Sequence, residues 1–193
     1  MSTYTSTELS VDVTGEKRDL LILLQDQRNM LKITARNLSD DDARKQSTVS
    51  TLTIGALIKH LAHGEENAAR VVTERDENAE FDMSQAMTEY EMTGDETLAG
   101  WLTAYDRGAA EFDRVIADAE SLDELIPQPT APWQPEREWL SIRTMIIHLI
   151  RETAHHCGHA DIIREALDGQ TTMGAISEGQ EWAEQWADAD WAK

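Results

Sequence analysis

The fold and the candidate site of this chain are predicted mainly from one stretch, His148-Leu149-Ile150-Arg151-Glu152-Thr153-Ala154-His155-His156-Cys157-Gly158-His159-Ala160-Asp161. It predicts the middle of a helix that begins near Ser141 and ends at Gly169. At about 100° per residue, one stripe of that helix carries four side chains that can bind a metal ion. They are His148, Glu152, His156 and His159. Cys157 and Asp161 point away from this stripe.

Glu152 and His156 form a candidate metal pair, because a carboxylate and an imidazole four residues apart on adjacent turns can converge on one cation. His148 is an alternative to His156 as the partner of Glu152. A third ligand must come from a facing helix, and His60 is the best candidate. The alternative to a metal site is a hydrogen-bonded polar cluster. The spacing favours the metal, since a buried glutamate without a partner costs about 3–5 kcal/mol.

Length, charge and cysteine content restrict the class of protein. The 193 residues are 40% hydrophobic and 28% charged, which predicts one globular domain with a proper core. A formal charge of −20 disfavours nucleic acid and anionic lipid as partners. No apolar run approaches a membrane span of about 20 residues. The single cysteine and the polar start without a signal-peptide pattern predict a cytoplasmic protein.

Apolar residues that recur every three or four positions predict four long amphipathic helices. No segment alternates between apolar and polar residues for long enough to predict a strand. All four prolines lie between Pro127 and Pro135. They predict an extended crossing before the last long helix. The predicted fold class is therefore all-α: a four-helix bundle with a proline-rich crossing and an additional C-terminal helix.

The sequence predicts three parts: a flexible N-terminal arm (1–14), a helical bundle domain (15–170) and an acidic, tryptophan-containing tail (171–193) that docks on the bundle. In the tail, Ser177 and Gln180 fit a capping box before Trp182 and Trp186. The tail tryptophans are compatible with a homodimer.

Local signals predict where the other helices begin. Ser39 predicts the cap of a short helix that continues through Arg44. The second long helix is expected to start at about Thr51 or Thr53. Thr93-Gly94-Asp95-Glu96 fits a capping box and predicts the start of the third long helix.

Three segments carry a resemblance to a known family. They are Leu57-Ile58-Lys59-His60-Leu61-Ala62, the Arg-Glu-Thr-Ala-His-His-Cys-Gly-His-Ala-Asp-Ile-Ile-Arg-Glu run at 151–165, and Asp168-Gly169. Together they resemble the DinB-like superfamily of four-helix metalloenzymes. Within it, the chain is similar to an uncharacterised actinobacterial branch with Glu-Thr-Ala-x-His-x-Gly-His-Ala-Asp on its last core helix. The resemblance covers about residues 15–170.

The resemblance implies a divalent metal ion, most often zinc or nickel, held by three residues of the bundle. Many members use one histidine of the second helix and a His-x-x-x-His pair of the last. This sequence has Glu152 at the first position of that pair, and so resembles the N-terminal domain of mycothiol-dependent maleylpyruvate isomerases. The ligands that the resemblance implies are His60, Glu152 and His156, the residues to which helix spacing also points.

Two neutral imidazoles and one carboxylate would leave a zinc ion positively charged, with an open fourth position. A thiol or water bound there loses its proton near neutral pH. The resemblance to mycothiol-dependent isomerases implies that the thiol is used, and so implies a metal-dependent transferase or isomerase that uses a low-molecular-weight thiol such as mycothiol on a small-molecule substrate. Three roles stay open for His159: it is the candidate general base, it orients a ligand through its second nitrogen, or it only packs against its neighbours.

Two other functions stay open at this point. A hydrolase on the same scaffold would use water in place of the thiol. A non-catalytic metal- or ligand-binding bundle would close its site with a fourth protein ligand, for which His148 and His159 are available. The substrate has no signature in the sequence, since no phosphate-binding loop, nucleotide fingerprint or nucleophile elbow is present.

Overall fold

A computed structural model of the chain describes residues 3–180, apart from the side chains of residues 85–87. Its elements are, in chain order, α1 (Gly15–Thr34), α2 (Asp40–Arg44), α3 (Ile54–Glu74), α4 (Met83–Thr88), α5 (Leu98–Asp118), β1 (Leu125–Pro127), β2 (Trp139–Ser141), α6 (Ile142–Asp168) and α7 (Thr172–Ser177). This architecture confirms the predicted all-α class. No helix within residues 3–180 is both long and apolar enough to cross a bilayer.

The four long helices pack around two groups of buried apolar side chains. α3 packs against α5 and α6, and α1 packs against α6. One group surrounds Leu57 and Leu61, and the other surrounds Phe112 and Ile146. Burial of each such side chain stabilises the fold by about 1.5–3 kcal/mol. The first group lies under the predicted metal ligands, since it also contains Cys157 and Ala160 of α6.

The ends of α6 agree with the prediction. The Ser141 hydroxyl accepts a hydrogen bond from the Thr144 N–H at 3.1 Å and caps the start of the helix. At the other end Gly169 has φ of +82°, a left-handed conformation that glycine adopts without strain. α3 likewise begins after Thr53, whose hydroxyl accepts from the Ala56 N–H. These caps fix where α3 begins and where α6 begins and ends.

The predicted start of the third long helix is wrong by about one turn. Thr93 and Glu96 do form a turn, in which the Thr93 N–H donates to the Glu96 carboxylate at 2.8 Å. α5 nevertheless begins at Leu98, with Thr97 as its cap. The reason is a long-range contact: Lys59 of α3 donates to the same Glu96 carboxylate at 2.8 Å and holds the turn against α3.

Two short three-residue strands lie in the crossing between α5 and α6. β1 and β2 pair antiparallel, with Ile126 opposite Leu140. Strands of three residues are too short to show a period-two pattern, which is why the sequence did not indicate them. The pairing ends at Ser141, so the crossing leads directly into the cap of α6.

The N-terminal segment and α7 both contact α1. The Asp26 carboxylate of α1 accepts hydrogen bonds from the Tyr4 N–H and from the N–H and hydroxyl of Thr5. The flexibility of residues 1–14 stays a prediction. Ser177 is the last residue of α7, and the predicted helix with Trp182 and Trp186 lies outside the described residues.

A buried charged network, which the sequence analysis did not find, joins three helices. The Arg28 side chain of α1 is 1% exposed. It donates to both oxygens of Glu65 on α3, at 2.6 and 2.8 Å, and to Asp113 on α5 at 2.9 Å. Two carboxylates at this depth require a cation, because an unpaired buried charge costs several kcal/mol. The network therefore fixes the positions of α1, α3 and α5 relative to one another.

We expect Arg28→Ala to lower the free energy of unfolding by about 3–5 kcal/mol, because it leaves two carboxylates buried without their cation. Urea denaturation at pH 7 measures the change. The matched control is Arg114→Ala, which removes an exposed arginine that also contacts two carboxylates, Glu111 and Asp118. Solvent screens the ion pairs of Arg114, so Arg114→Ala should lower the free energy of unfolding much less than Arg28→Ala. Similar losses for the two variants would contradict the role given to the network.

Candidate metal centre

The three predicted ligands lie together where α3 and α6 face each other. One ligand atom each of His60, Glu152 and His156 lies within 4.8 Å of the other two. Nε2 of His156 is 3.8 Å from Oε2 of Glu152, as expected for residues four apart on a helix. The rings of His60 and His156 are 4.9 Å apart and inclined at 75°. All three side chains are half-buried, so the cluster opens to solvent.

The donor set and its spacing fit a zinc ion. Two imidazoles that share one zinc at about 2.0–2.1 Å have ring centroids about 5 Å apart, close to the 4.9 Å separation of His60 and His156. Atoms around a tetrahedral zinc are about 3.4 Å apart, so the three side chains need to close by about 1 Å. Nδ1 of His60 is buried without a hydrogen-bond partner in the described part of the chain.

The ionisation of the cluster also suits a cation, which needs neutral imidazoles and an ionised carboxylate. Burial lowers the pKa of His156 to about 4, and His60 adds to this effect. Burial likewise lowers the pKa of His60, although Glu152 opposes it. For Glu152, burial raises the pKa, but the hydrogen bond from Arg151 and the neighbouring positive charges outweigh it and lower the pKa overall.

The remaining polar side chains of this helix stripe have other partners. His148 is exposed, and its Nδ1 is 2.8 Å from Nη2 of Arg151, which also donates to Glu152 at 2.9 Å. His159 contacts His156 instead, with the two Nδ1 atoms 3.4 Å apart. In the described residues, neither histidine belongs to the three-residue cluster.

Cys157 points away from the cluster and towards α1, as its position about 100° from His156 on the helix predicts. Its Sγ donates to the Gln27 carbonyl of α1 at 3.3 Å, and burial raises the pKa of the thiol to about 12. A thiol with this pKa stays protonated at neutral pH and is a poor nucleophile. Any thiol chemistry at the cluster must therefore use a thiol from outside the chain.

Two residues near His60 were not found from the sequence. The Tyr90 ring stacks on the imidazole at 4.5 Å, and its hydroxyl is 3.3 Å from Nε2. Oε1 of Glu89 is 3.3 Å from Nδ1, without the alignment of a hydrogen bond. Lys59 holds this segment to α3 by donating to the Glu91 carbonyl at 2.9 Å. The segment is acidic and lacks periodicity, so no sequence signal marked either residue.

The family follows from a comparison with known sequences. The sequence profile of the mycothiol-S-transferase family matches residues 19–169. The chain belongs to this family. The match confirms the resemblance to DinB-like proteins that the motif of α6 indicated. The cluster of His60, Glu152 and His156 lies within the matched region.

One solved structure supports the same fold for this member of the mycothiol-S-transferase family. It is the crystal structure of a conserved protein from Enterococcus faecalis, 12% identical in sequence, with a TM-score of 0.60. The alignment covers 82% of this chain and 100% of that one. At this identity the likeness concerns the fold alone. No curated protein matches the chain.

We expect the metal-free protein to lose stability as the pH falls from about 6.5 to 4. The unfolded chain binds a proton at His156 near pH 6.5, whereas the folded chain binds it only near pH 4, so protonation favours unfolding in this window. Urea denaturation across the window measures the loss. In His156→Gln the loss of stability over this pH window should be smaller than in the wild type. An equal loss in the variant would contradict the lowered pKa of His156.

Proposed function

We propose that this protein is a metal-dependent transferase or isomerase that binds one zinc ion through His60, Glu152 and His156. Its co-substrate is mycothiol or a similar low-molecular-weight thiol, and its other substrate is a small electrophile. The observation that carries the proposal is the convergence of these side chains from α3 and α6, with ligand atoms within 4.8 Å of one another. The family supports the thiol.

The three residues bring two neutral nitrogens and one negative charge to the ion. Three protein ligands leave the fourth position of a tetrahedral site for a small molecule. When bound, the ion supplies the positive charge that lowers the pKa of a thiol at that position. The half-buried location of the cluster gives such a molecule access from solvent.

His159 acts in this proposal mainly by orienting His156. When Nε2 of His156 faces Glu152, its Nδ1 faces Nδ1 of His159 at 3.4 Å. A hydrogen bond to the second nitrogen of a ligand histidine fixes its ring and its tautomer. The contact favours this role over that of a general base, which would have to reach the thiol proton directly or through water.

Tyr90 and Arg151 are the groups that a substrate would meet beside the ligands. Burial raises the pKa of Tyr90, and Glu89 adds to this effect, so its hydroxyl stays a hydrogen-bond donor at neutral pH. Arg151 is exposed beside Glu152. Arg143 is paired with Glu16 and Asp123 on the surface and is therefore not free to bind an anionic substrate. The net charge of −20 therefore favours an uncharged or weakly anionic electrophile.

Nickel is the alternative to zinc in this proposal. The cytoplasmic location and the homodimer stay predictions, as does the absence of nucleic-acid and membrane partners.

We expect purified protein to contain about one equivalent of a divalent metal, and Glu152→Ala to contain almost none, because two imidazoles alone hold the ion weakly. Elemental analysis measures both. Glu165→Ala is the matched control, since it removes an exposed glutamate from the same helix. Unchanged metal in Glu152→Ala would remove Glu152 from the ligand set.

Calorimetry with mycothiol distinguishes the transferase from the hydrolase. We expect mycothiol to bind the zinc-loaded wild-type protein and not the metal-free protein, because the thiol needs the ion to lose its proton. The analogue in which the sulfur is methylated is the control and should bind much more weakly. If the zinc-loaded protein does not bind mycothiol, the thiol-dependent function is contradicted and the hydrolase becomes the better explanation of the site.

A further inference from the structure

A second pair of histidines lies on α6 beside the candidate metal centre. His155 and His159 are four residues apart, and their ring centroids are 4.7 Å apart with a tilt of 44°. This separation is close to the 4.9 Å between His60 and His156 and to the distance of about 5 Å for two imidazoles on one ion. His155 is exposed and His159 partly exposed, so an ion can reach both from solvent.

The two ring nitrogens of His159 point in different directions. Nδ1 faces Nδ1 of His156 at 3.4 Å. Nε2 is on the other side of the ring, away from that contact. His159 can therefore contact His156 through one nitrogen and bind an ion through the other. The exposed ring of His155 can turn to the same ion without disturbing the core.

We propose that His155 and His159 form a second, weaker site for a divalent transition-metal ion, distinct from the cluster of His60, Glu152 and His156. Two imidazoles and water molecules would complete its coordination. Imidazole nitrogen suits zinc, nickel and copper, and copper should bind most tightly of the three. The chain's charge of −20 raises the local concentration of cations at such an exposed site.

The two sites should oppose each other, a step that rests on the proposed function. When an ion binds Nε2 of His156, the proton of that ring is on Nδ1 and is donated to Nδ1 of His159. An ion on Nε2 of His159 moves the His159 proton to Nδ1, where it faces the proton of His156. The hydrogen bond is then lost, which weakens binding about two- to tenfold. The effect on the two sites is reciprocal.

Excess metal would therefore act on the same histidine that orients His156. Occupation of the second site would withdraw His159 from His156 and loosen the ligand at the first site. The second site in this way makes the first sensitive to the supply of free metal.

Titration with zinc chloride followed by calorimetry tests the second site, with metal-free, full-length protein that carries no histidine tag. We expect two classes of site in the wild type. His155→Ala should lose only the weaker class, and Glu152→Ala only the tighter one. His148→Ala, which removes another exposed histidine of α6, is the control and should keep both classes.

The outcomes separate this inference from the proposed function. A single class in the wild type, or two classes in His155→Ala, would overturn the second site. If Glu152→Ala keeps the tight class while His155→Ala loses the weak one, the proposed ligand set fails and the second site stands. In Glu152→Ala the weak class should bind about two- to tenfold more tightly than in the wild type. An unchanged affinity there would overturn the opposition between the sites.

Discussion

The packing of α3 against α6 sets the distance between His60 and the pair formed by Glu152 and His156. Leu57 and Leu61 are buried on α3, one turn or less from His60, and they belong to the same core group as Cys157 and Ala160. Ala160 is fully buried in this group, whereas the polar residues of the next stripe converge where they are only half-buried. A change in the register of either helix would move His60 away from the pair formed by Glu152 and His156, because one turn of helix is about 5.4 Å long.

Charged contacts at two depths fix the position of α3 within the bundle. Inside the bundle, Arg28 joins α1 to Glu65 of α3, one turn beyond His60, and extends the link to Asp113 of α5. Nearer the surface, Lys59 holds the turn around Glu96 against α3. The first contact positions the helices, and the second positions the segment that places Tyr90 on the His60 ring. Both act on α3, the helix that supplies a single residue to the candidate metal centre.

Much of this arrangement could be predicted from local sequence, and the rest depends on contacts between distant residues. The bounds of α6 follow from Ser141 and Gly169, whose caps need only their neighbours. The convergence of Glu152 and His156 follows from the helical repeat alone. The start of α5 did not follow, because Thr93 and Thr97 have similar local signals and a lysine 37 residues from Glu96 decides between them.

The residues around His60 show the same limit. Glu89 and Tyr90 lie in a stretch without periodicity, and only the folded chain brings them to the imidazole. Arg28 and Glu65 are likewise 37 residues apart, on two helices whose apolar patterns gave no reason to pair them. A helical pattern identifies which residues share a stripe, whereas the partner across the bundle depends on how the helices are rotated about their axes.

The placement of Cys157 has a consequence for the proposed thiol-dependent function. Mixed disulfides form when a thiolate attacks the sulfur of another molecule, and they need an ionised, accessible cysteine on the protein. The only cysteine of the chain is buried against α1, and its pKa is raised to about 12. The disulfide form of a thiol co-substrate would therefore meet no reactive cysteine on the protein. If the proposed function holds, the protein can be exposed to high concentrations of its thiol co-substrate without covalent modification at Cys157.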